Sequence, residues 1–194
     1  MPVQTLPADQ ILQKLAKLFL APAQDRHVYC VFGPYSKLRP FQKRIQEATT
    51  HGDFNSLGQV DYLPLDTAVP DHMRTLSTFE KSQQLARDRH DDEFRKLLSQ
   101  AFRDLITRRI EAPGTVGLIL ADFELLYAYD LGDNDISLVR QVAINGKRVC
   151  LLVPGVMRDG RLWIFDEDEH ARREFPPALV FQNSGWVFGL RVEG

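Results

Sequence analysis

The stretch that decides the fold is Gly114–Gly155, GTVGLILADFELLYAYDLGDNDISLVRQVAINGKRVCLLVPG. It contains two apolar runs, Thr115–Ala121 and Arg148–Val153, in which polar and apolar residues do not alternate. Such runs are typical of strands buried on both faces, as in a parallel α/β sheet. The spacing between them predicts a helix from Asp135 to Asn145, which stops at Gly146. The stretch is therefore a predicted βαβ unit.

The residues that follow these two strands are the first candidates for function, because ligands and partners collect at the carboxyl ends of parallel strands. Asp122 and Glu124 follow the first strand, and Pro154 and Gly155 follow the second. Asp122 has the position of a Walker B aspartate, which holds Mg²⁺, and Glu124 could position a water molecule. Alone this signal is weak, because Asp at a strand-to-helix junction also caps helices.

The chain of 194 residues is long enough for one domain with a substantial core. We predict a single α/β domain over 1–194, with an N-terminal helix packed on it within 1–24 and a C-terminal β extension over 156–194. The class is a P-loop-like three-layer sandwich with a mainly parallel sheet, a β-hairpin in the extension and no intact Walker A motif.

Composition and charge argue against a membrane-spanning protein and against a protein that binds nucleic acids through its overall charge. The formal net charge of −2 gives no global attraction for phosphates, so nucleic-acid binding would need a local basic patch. No apolar run approaches the roughly 20 residues that span a bilayer, and the N-terminus lacks a signal-peptide pattern. We expect a cytoplasmic protein with no membrane association, in which Cys30 and Cys150 are buried, reduced thiols.

Apolar periodicity predicts the elements before the βαβ unit. They are a helix over Asp9–Leu20 with Asp9 as N-cap, a strand over Val28–Phe32, a helix from Pro40 to Thr49, an edge strand over Val60–Leu65 and a largely helical region over Asp71–Glu111. Pro40 is expected in the first helical turn, where a missing N–H group does no harm.

Beyond Gly155 the pattern changes to short strands and turns. We predict a strand over Arg161–Phe165 and a hairpin formed by Ala178–Phe181 and Trp186–Leu190. The acidic run Asp166–His170 is interpreted as a solvated loop. Contiguous carboxylates repel one another and lack the spaced oxygen ligands of a calcium site.

Gly33 follows the first long strand, where a phosphate-binding loop would begin. The P-loop pattern requires Gly-Lys-Ser/Thr after four intervening residues, but Leu38, Arg39 and Pro40 stand there. Leucine crowds the phosphate cradle, arginine lacks the compact ammonium group, and proline has neither a hydroxyl nor an N–H group. We therefore interpret this segment as a strand-to-helix turn. The vestigial nucleotide-site positions are Gly33, Arg39, Asp122 and Glu124.

Other catalytic patterns do not occur in the sequence. There is no Gly-x-Ser-x-Gly motif and no zinc-type spacing of cysteine and histidine, and the five histidines are scattered. No acid/base pair can be named from the sequence. The sequence predicts a protein that is not an enzyme and that has no catalytic residues, cofactor or metal site.

Four segments resemble the small accessory proteins of BREX-type bacteriophage-defence systems, the BrxB-like family and its P-loop-bearing BrxF-type analogue. The match in element order runs from about Ile11 to Phe188. The segments are Val28–Phe32 with Gly33-Pro34-Tyr35, Leu120–Tyr127, Val149–Val153 with Pro154-Gly155, and Asp159-Gly160-Arg161-Leu162.

This resemblance implies a cytoplasmic, non-catalytic adaptor that binds a PglZ-type phosphatase-like protein. The other subunits of such systems include a DNA methyltransferase and a large ATPase, so an association with DNA would be indirect. The P-loop residues of the BrxF-type form do not carry over, because Leu38, Arg39 and Pro40 replace them. That departure favours the BrxB-like interpretation.

Partner contacts are expected at the ends of the strands or in the aromatic C-terminal segment, since Tyr and Trp often anchor interfaces. The candidate residues are Tyr35, Tyr127, Pro154 and Trp163. Two alternatives stay open. One is a degenerate P-loop nucleotide-binding protein or weak NTPase that uses Asp122. The other is a DNA-contacting subunit that uses Arg95, Arg103 and Arg109.

Overall fold

The computed structural model describes residues 3–21, 27–54, 58–88, 90–129, 131, 137–141, 143, 146–165, 172–175 and 186–191. Six strands form one sheet in which every neighbouring pair is parallel. They are β1 (Gln4–Leu6), β2 (His27–Gly33), β3 (Gln59–Pro64), β4 (Thr115–Ala121), β5 (Arg148–Pro154) and β9 (Val187–Leu190). Their order across the sheet is β1-β9-β2-β5-β4-β3. The predicted α/β class and mainly parallel sheet are confirmed.

A small second sheet is antiparallel. Its strands are β6 (Val156–Arg158), β7 (Arg161–Ile164) and β8 (Arg173–Phe175), in that order. The helices with defined bounds are α1 (Ala8–Leu20), α2 (Tyr35–His51), α3 (Leu65–Arg74), α4 (Phe79–Arg87), α5 (Asp91–Glu111) and α6 (Leu125–Ala128). A further helical segment covers 137–141, and the remainder of the predicted helix Asp135–Asn145 lies largely outside the described residues.

The central strands are buried on both faces because their side chains alternate between two apolar cores. In β4, Leu118 and Leu120 belong to one core, whereas Ile119 and Ala121 belong to the other. Helices α1 and α2 cover the second core, and α3, α5, α6 and the antiparallel sheet contribute to the first. The continuous apolar runs in the sequence reflect this two-sided burial.

Helix α2 begins five residues earlier than predicted, at Tyr35. Pro34 is its N-cap, and the Pro34 carbonyl accepts hydrogen bonds from the amides of Lys37 and Leu38, each at 2.9 Å. Pro40 therefore lies inside the helix and removes one hydrogen bond near its N-terminal end. Helix α1 likewise starts at Ala8 rather than after Asp9. Its N-cap is Pro7, and the Asp9 carboxylate forms an ion pair with Arg44 of α2.

The long helical region is divided into three helices, and its first helix begins at Leu65, directly after the edge strand β3. Pro64 ends β3, one residue before the predicted end of this edge strand, and also serves as the N-cap of α3. Residues 75–78 separate α3 from α4, and the caps Asp88 and His90 lie between α4 and α5. The second half of the predicted helical region is one continuous helix, α5.

The predicted C-terminal hairpin is wrong. Residues Val187–Leu190 form β9, which is parallel to both of its neighbours and lies between β1 and β2. Both edges of β9 therefore pair with parallel strands rather than with an antiparallel hairpin partner. The other predicted hairpin strand, Ala178–Phe181, lies outside the described residues. The acidic run Asp166–His170 also lies outside them. Within the described part of the chain, no helix is long and apolar enough to cross a bilayer.

Candidate functional site

The carboxyl ends of β2 and β5 mark a topological switch point of the sheet, which we call the crevice. These strands are neighbours, but the chain continues from β2 into α2 on one face of the sheet and from β5 into the antiparallel sheet on the other. Such a reversal is where α/β proteins bind ligands. β2 and β5 remain hydrogen-bonded to each other up to their carboxyl ends, where the Gly155 amide donates a hydrogen bond of 2.9 Å to the Gly33 carbonyl.

The first side chain in the crevice is Tyr35, the first residue of α2. Its hydroxyl donates a hydrogen bond of 3.1 Å to Oε1 of Glu124, which stands directly before α6. Only 6% of the Glu124 surface is exposed. The other carboxylate oxygen of Glu124, Oε2, is buried and has no hydrogen-bond partner among the described residues. This contact joins residues that are 89 positions apart in the sequence.

A second contact crosses the crevice about two helical turns further along α2. Nε2 of Gln42 donates a hydrogen bond of 3.3 Å to Oδ1 of Asp122, the residue that follows β4. Asp122 is half-buried and has a φ of 57°, a left-handed conformation that aspartate tolerates better than bulky residues do. The backbone therefore turns sharply after β4, and the next residue, Phe123, enters the core.

Both carboxyl groups of the crevice have raised pKa values. Burial raises the pKa of Glu124 to about 7, and the nearby charges of Asp122 and Asp66 act in the same direction, whereas the hydrogen bond from Tyr35 opposes them. Burial and Asp66 also raise the pKa of Asp122, against the effects of Gln42 and Arg39. Perturbed carboxyl groups in a crevice are typical of functional sites.

Tyrosines add to this electrostatic environment. The pKa of Tyr35 is raised by burial and by Glu124, and the pKa of Tyr62 on the edge strand is raised by burial and by Asp122 and Asp66. Both phenols are therefore neutral at physiological pH and can donate hydrogen bonds to the carboxylates. The crevice is acidic and has tyrosines at its edge.

The vestigial nucleotide-site positions are divided between this crevice and its surroundings. Asp122 and Glu124 lie in the crevice. Arg39 is exposed on α2, with its guanidinium 5.7 Å from the centre of the Tyr35 ring. Gly33 is the last residue of β2, where an added Cβ would lie 2.9 Å from Cβ of Leu190. Close packing of β9 against β2 is thus a sufficient reason for glycine at this position.

The predicted strand-to-helix turn between β2 and α2 consists of one residue, Pro34. A phosphate-binding loop holds phosphates with several consecutive backbone N–H groups, but here the chain enters the helix directly. Leu38, at the position of the second P-loop glycine, is buried in the core on the α1–α2 face. Among the described residues, no group of three acidic, histidine or cysteine side chains is arranged to hold a metal ion.

The four predicted partner residues lie in different environments. Tyr35 and Tyr127 are half-buried near the crevice, and the Tyr127 ring packs 5.6 Å from that of Phe175. Pro154 is buried at the end of β5, so it offers little surface to a partner. Trp163 is half-buried in β7, in the antiparallel sheet. The structure does not bring these four residues together into one patch.

The arginine-rich face of α5 carries partly compensated charge. Nη1 of Arg95 lies 3.8 Å from Oδ1 of Asp92, and Nη1 of Arg109 lies 3.9 Å from Oδ2 of Asp61 on β3. Electrostatic binding of DNA depends on phosphate contacts by cationic side chains. Acidic partners at two of the three arginines that were candidates for DNA contact weaken this alternative.

Sequence reasoning missed two of the residues that complete the crevice. Gln42 is an ordinary polar residue within α2, and Asp66 is an exposed residue in the first turn of α3. Comparison of the chain with known proteins finds no matching family model, no matching curated protein and no matching solved structure. The family resemblance therefore stays a prediction, and the function is argued from the site.

Proposed function

We propose that this protein is a non-catalytic adaptor that binds a PglZ-type phosphatase-like partner within a BREX-like phage-defence complex. The observation that supports a scaffold role is that side chains of α2 span the crevice where a nucleotide would bind. Tyr35 binds Glu124, and Gln42 binds Asp122. The identity of the partner rests on the family resemblance.

The strand order is compatible with a P-loop-like origin of this scaffold. Strand β5 lies between β2, which would precede a phosphate-binding loop, and β4, which ends at the Walker B position. A nucleotide in this crevice would have to displace the contacts of Tyr35 and Gln42, each of which contributes about 1 kcal/mol.

Co-expression with the neighbouring genes tests the adaptor function. The tagged full-length protein is purified by affinity and size exclusion, and co-eluting proteins are identified by mass spectrometry. We expect a PglZ-type protein to co-elute in a defined stoichiometry. Elution of the adaptor alone at moderate salt, with its neighbours demonstrably expressed, would refute the proposal.

Nucleotide binding is the second candidate, and the placement of Asp122 and Glu124 favours it. Calorimetric titration with Mg²⁺·ATP distinguishes the nucleotide-binding function from the adaptor function. The adaptor proposal predicts no binding at millimolar nucleotide. Saturable binding that is lost in Asp122→Ala but retained in Asp53→Ala, a change at an exposed position outside the crevice, would favour the nucleotide-binding function instead.

A further inference from the structure

A cleft of about 490 Å³ lies among α3, α4, α5 and α6, on the face of the sheet opposite α1 and α2. Its walls are mainly apolar. They include Val69 and Met73 of α3, Phe79 of α4, Phe94 and Leu98 of α5, and Leu126 of α6. Several of these side chains also belong to the core beneath. The floor of the cleft is therefore formed by core residues.

An exposed aromatic residue stands at the edge of this cleft. Tyr129 follows α6 and is 46% exposed, which makes it the one large hydrophobic side chain classed as exposed among the described residues. Its ring meets that of Phe94 edge-on, with 6.3 Å between the ring centres. A rigid aromatic side chain beside an apolar cleft is the usual anchor of a protein interface.

The two ends of one wall carry opposite charges. Asp66 and Arg74 both line the cleft and lie eight residues apart on α3, so they are about 12 Å apart along the helix axis. Val69, Pro70 and Met73 lie between them on the same wall. Arg74 also forms an ion pair with Asp71, three residues earlier on α3, so a ligand carboxylate at this end would compete with Asp71 for the guanidinium. The cleft therefore has an acidic end, an apolar middle and an end whose basic group is already paired within α3.

We propose that this cleft binds an amphipathic helix of the partner protein. The helix places apolar side chains at i, i+3 or i+4, and i+7 into the cleft. A basic side chain lies at the Asp66 end, and an acidic side chain about two turns away lies at the Arg74 end. This inference rests on the proposed adaptor function and identifies the surface through which that function is carried out.

A helix fits this surface better than an extended strand does. The described lining consists of helices and of residues that follow α6, and contains no residue of a strand, so an added strand would find no backbone groups to pair with. The separation of the two charges matches about two turns of helix, the length over which three apolar anchors are presented. Charge complementarity at both ends would fix the register of the helix.

Synthetic peptides test the cleft directly with the full-length protein. The probe is a fluorescein-labelled, alanine-rich helical peptide with leucines at i, i+3, i+4 and i+7 and with lysine and glutamate at opposite ends of that stripe. Control peptides carry lysine at both ends, glutamate at both ends, or a central proline that breaks the helix. Fluorescence anisotropy gives the dissociation constants.

We expect the mixed-charge peptide to bind, each same-charge peptide to bind about two- to fivefold more weakly, and the proline peptide to show no binding. Tyr129→Ser should weaken binding about tenfold. Because Tyr129 is exposed, the circular dichroism spectrum of this variant should be the same as that of the wild type. Asp66→Asn and Arg74→Gln should each weaken binding of the mixed-charge peptide, whereas the exposed controls Asp53→Asn and Arg87→Gln should not.

Other outcomes would overturn the proposal. The first is that no helical peptide gives saturable binding. The second is that the proline peptide binds with the same affinity as the mixed-charge peptide. The third is that only the small dye 8-anilinonaphthalene-1-sulfonate binds, which would indicate a small-molecule cavity. Co-elution separates this inference from the adaptor function. A partner that still co-elutes with Tyr129→Ser and with Arg74→Gln at wild-type stoichiometry refutes the cleft but leaves the adaptor. Peptide binding without any co-eluting partner refutes the adaptor but leaves the cleft.

Discussion

Replacing Glu124 with glutamine should stabilise the protein at pH 8.5 and have little effect at pH 5. In the folded protein the pKa of Glu124 is about 7, against an ordinary value of 4.5. The folded state therefore binds this proton more tightly than the unfolded chain does. It follows that the free energy of unfolding falls as the pH rises from about 4.5 through about 7, and that the charged carboxylate destabilises the fold above that range.

The size of this effect follows from the pKa difference. Each pKa unit corresponds to roughly 1.4 kcal/mol, so full ionisation of Glu124 costs about 3 kcal/mol of folding free energy. Glutamine cannot ionise, but it keeps a side-chain oxygen that can accept the hydrogen bond from Tyr35. For a chain of this length, about 3 kcal/mol corresponds to a gain of roughly 6–12 °C in Tm at pH 8.5.

Urea unfolding at pH 5 and pH 8.5 measures the difference directly. The comparison includes wild type, Glu124→Gln and Glu47→Gln, a control at an exposed position on α2. Other groups titrate in this range, including His72, whose pKa burial lowers and whose contribution has the opposite sign. Their contributions largely cancel when the free energies of variant and wild type are subtracted at each pH.

Two results would refute this reasoning. The first is a Glu124→Gln variant that is less stable than wild type at pH 8.5. The second is a difference between variant and wild type that is the same at both pH values. The second result would mean that Glu124 ionises in the folded protein as it does in the unfolded chain. The first would mean that a charged carboxylate is more favourable at this position than a neutral amide, so the crevice would not be the buried, acidic environment described above.

Three further predictions concern other parts of the fold. Tyr35→Phe should destabilise the protein by about 1–2 kcal/mol at pH 8.5 and less at pH 5 in urea unfolding, because its hydroxyl stabilises the charged form of Glu124; equal losses would argue against this. Gly155→Ala should cost about 1–3 kcal/mol in the same assay, because its Cβ would lie 2.5 Å from a backbone oxygen of β7; an unchanged midpoint would contradict the packing. Cys30 and Cys150 should react with Ellman's reagent only after unfolding, because both thiols are buried and burial raises their pKa; fast labelling of the native protein would contradict this.

The central strands could be predicted from the sequence because strands buried on both faces are apolar over several consecutive residues. After their first residues, Thr115 and Arg148, the segments Thr115–Ala121 and Arg148–Pro154 contain no polar side chain, and both are strands with almost the predicted bounds. The three-residue strands β1 and β8 carry no such signal, because their order comes from pairing with neighbours that are distant in sequence. Strand β9 was recognised as a strand but assigned to the wrong partner, since composition does not specify which strands pair.

The site was predicted only in part, for a similar reason. Asp122 and Glu124 were found because residues after a buried strand lie at a known edge of the sheet. Gln42 was missed because its contact is 80 residues away and has no local signature. The start of α2 was misplaced because Pro40 suits a first turn, but Pro34, with extended backbone angles, had already started the helix. The apolar cleft depends on how four helices pack together, which periodicity within each helix does not show.

The position of β9 in the sheet affects how the protein can fold while it is being synthesised. Strand β9 separates β1 from β2, although it comes after every other described strand in chain order, whereas β1 and β2 come first among them. During synthesis, β2 can pair with β5 on one side, but its other edge stays open until Leu190 has left the ribosome. An exposed strand edge is a template for pairing with another chain. The nascent protein therefore passes through a long interval in which a chaperone or a second copy of the chain could occupy the place of β9.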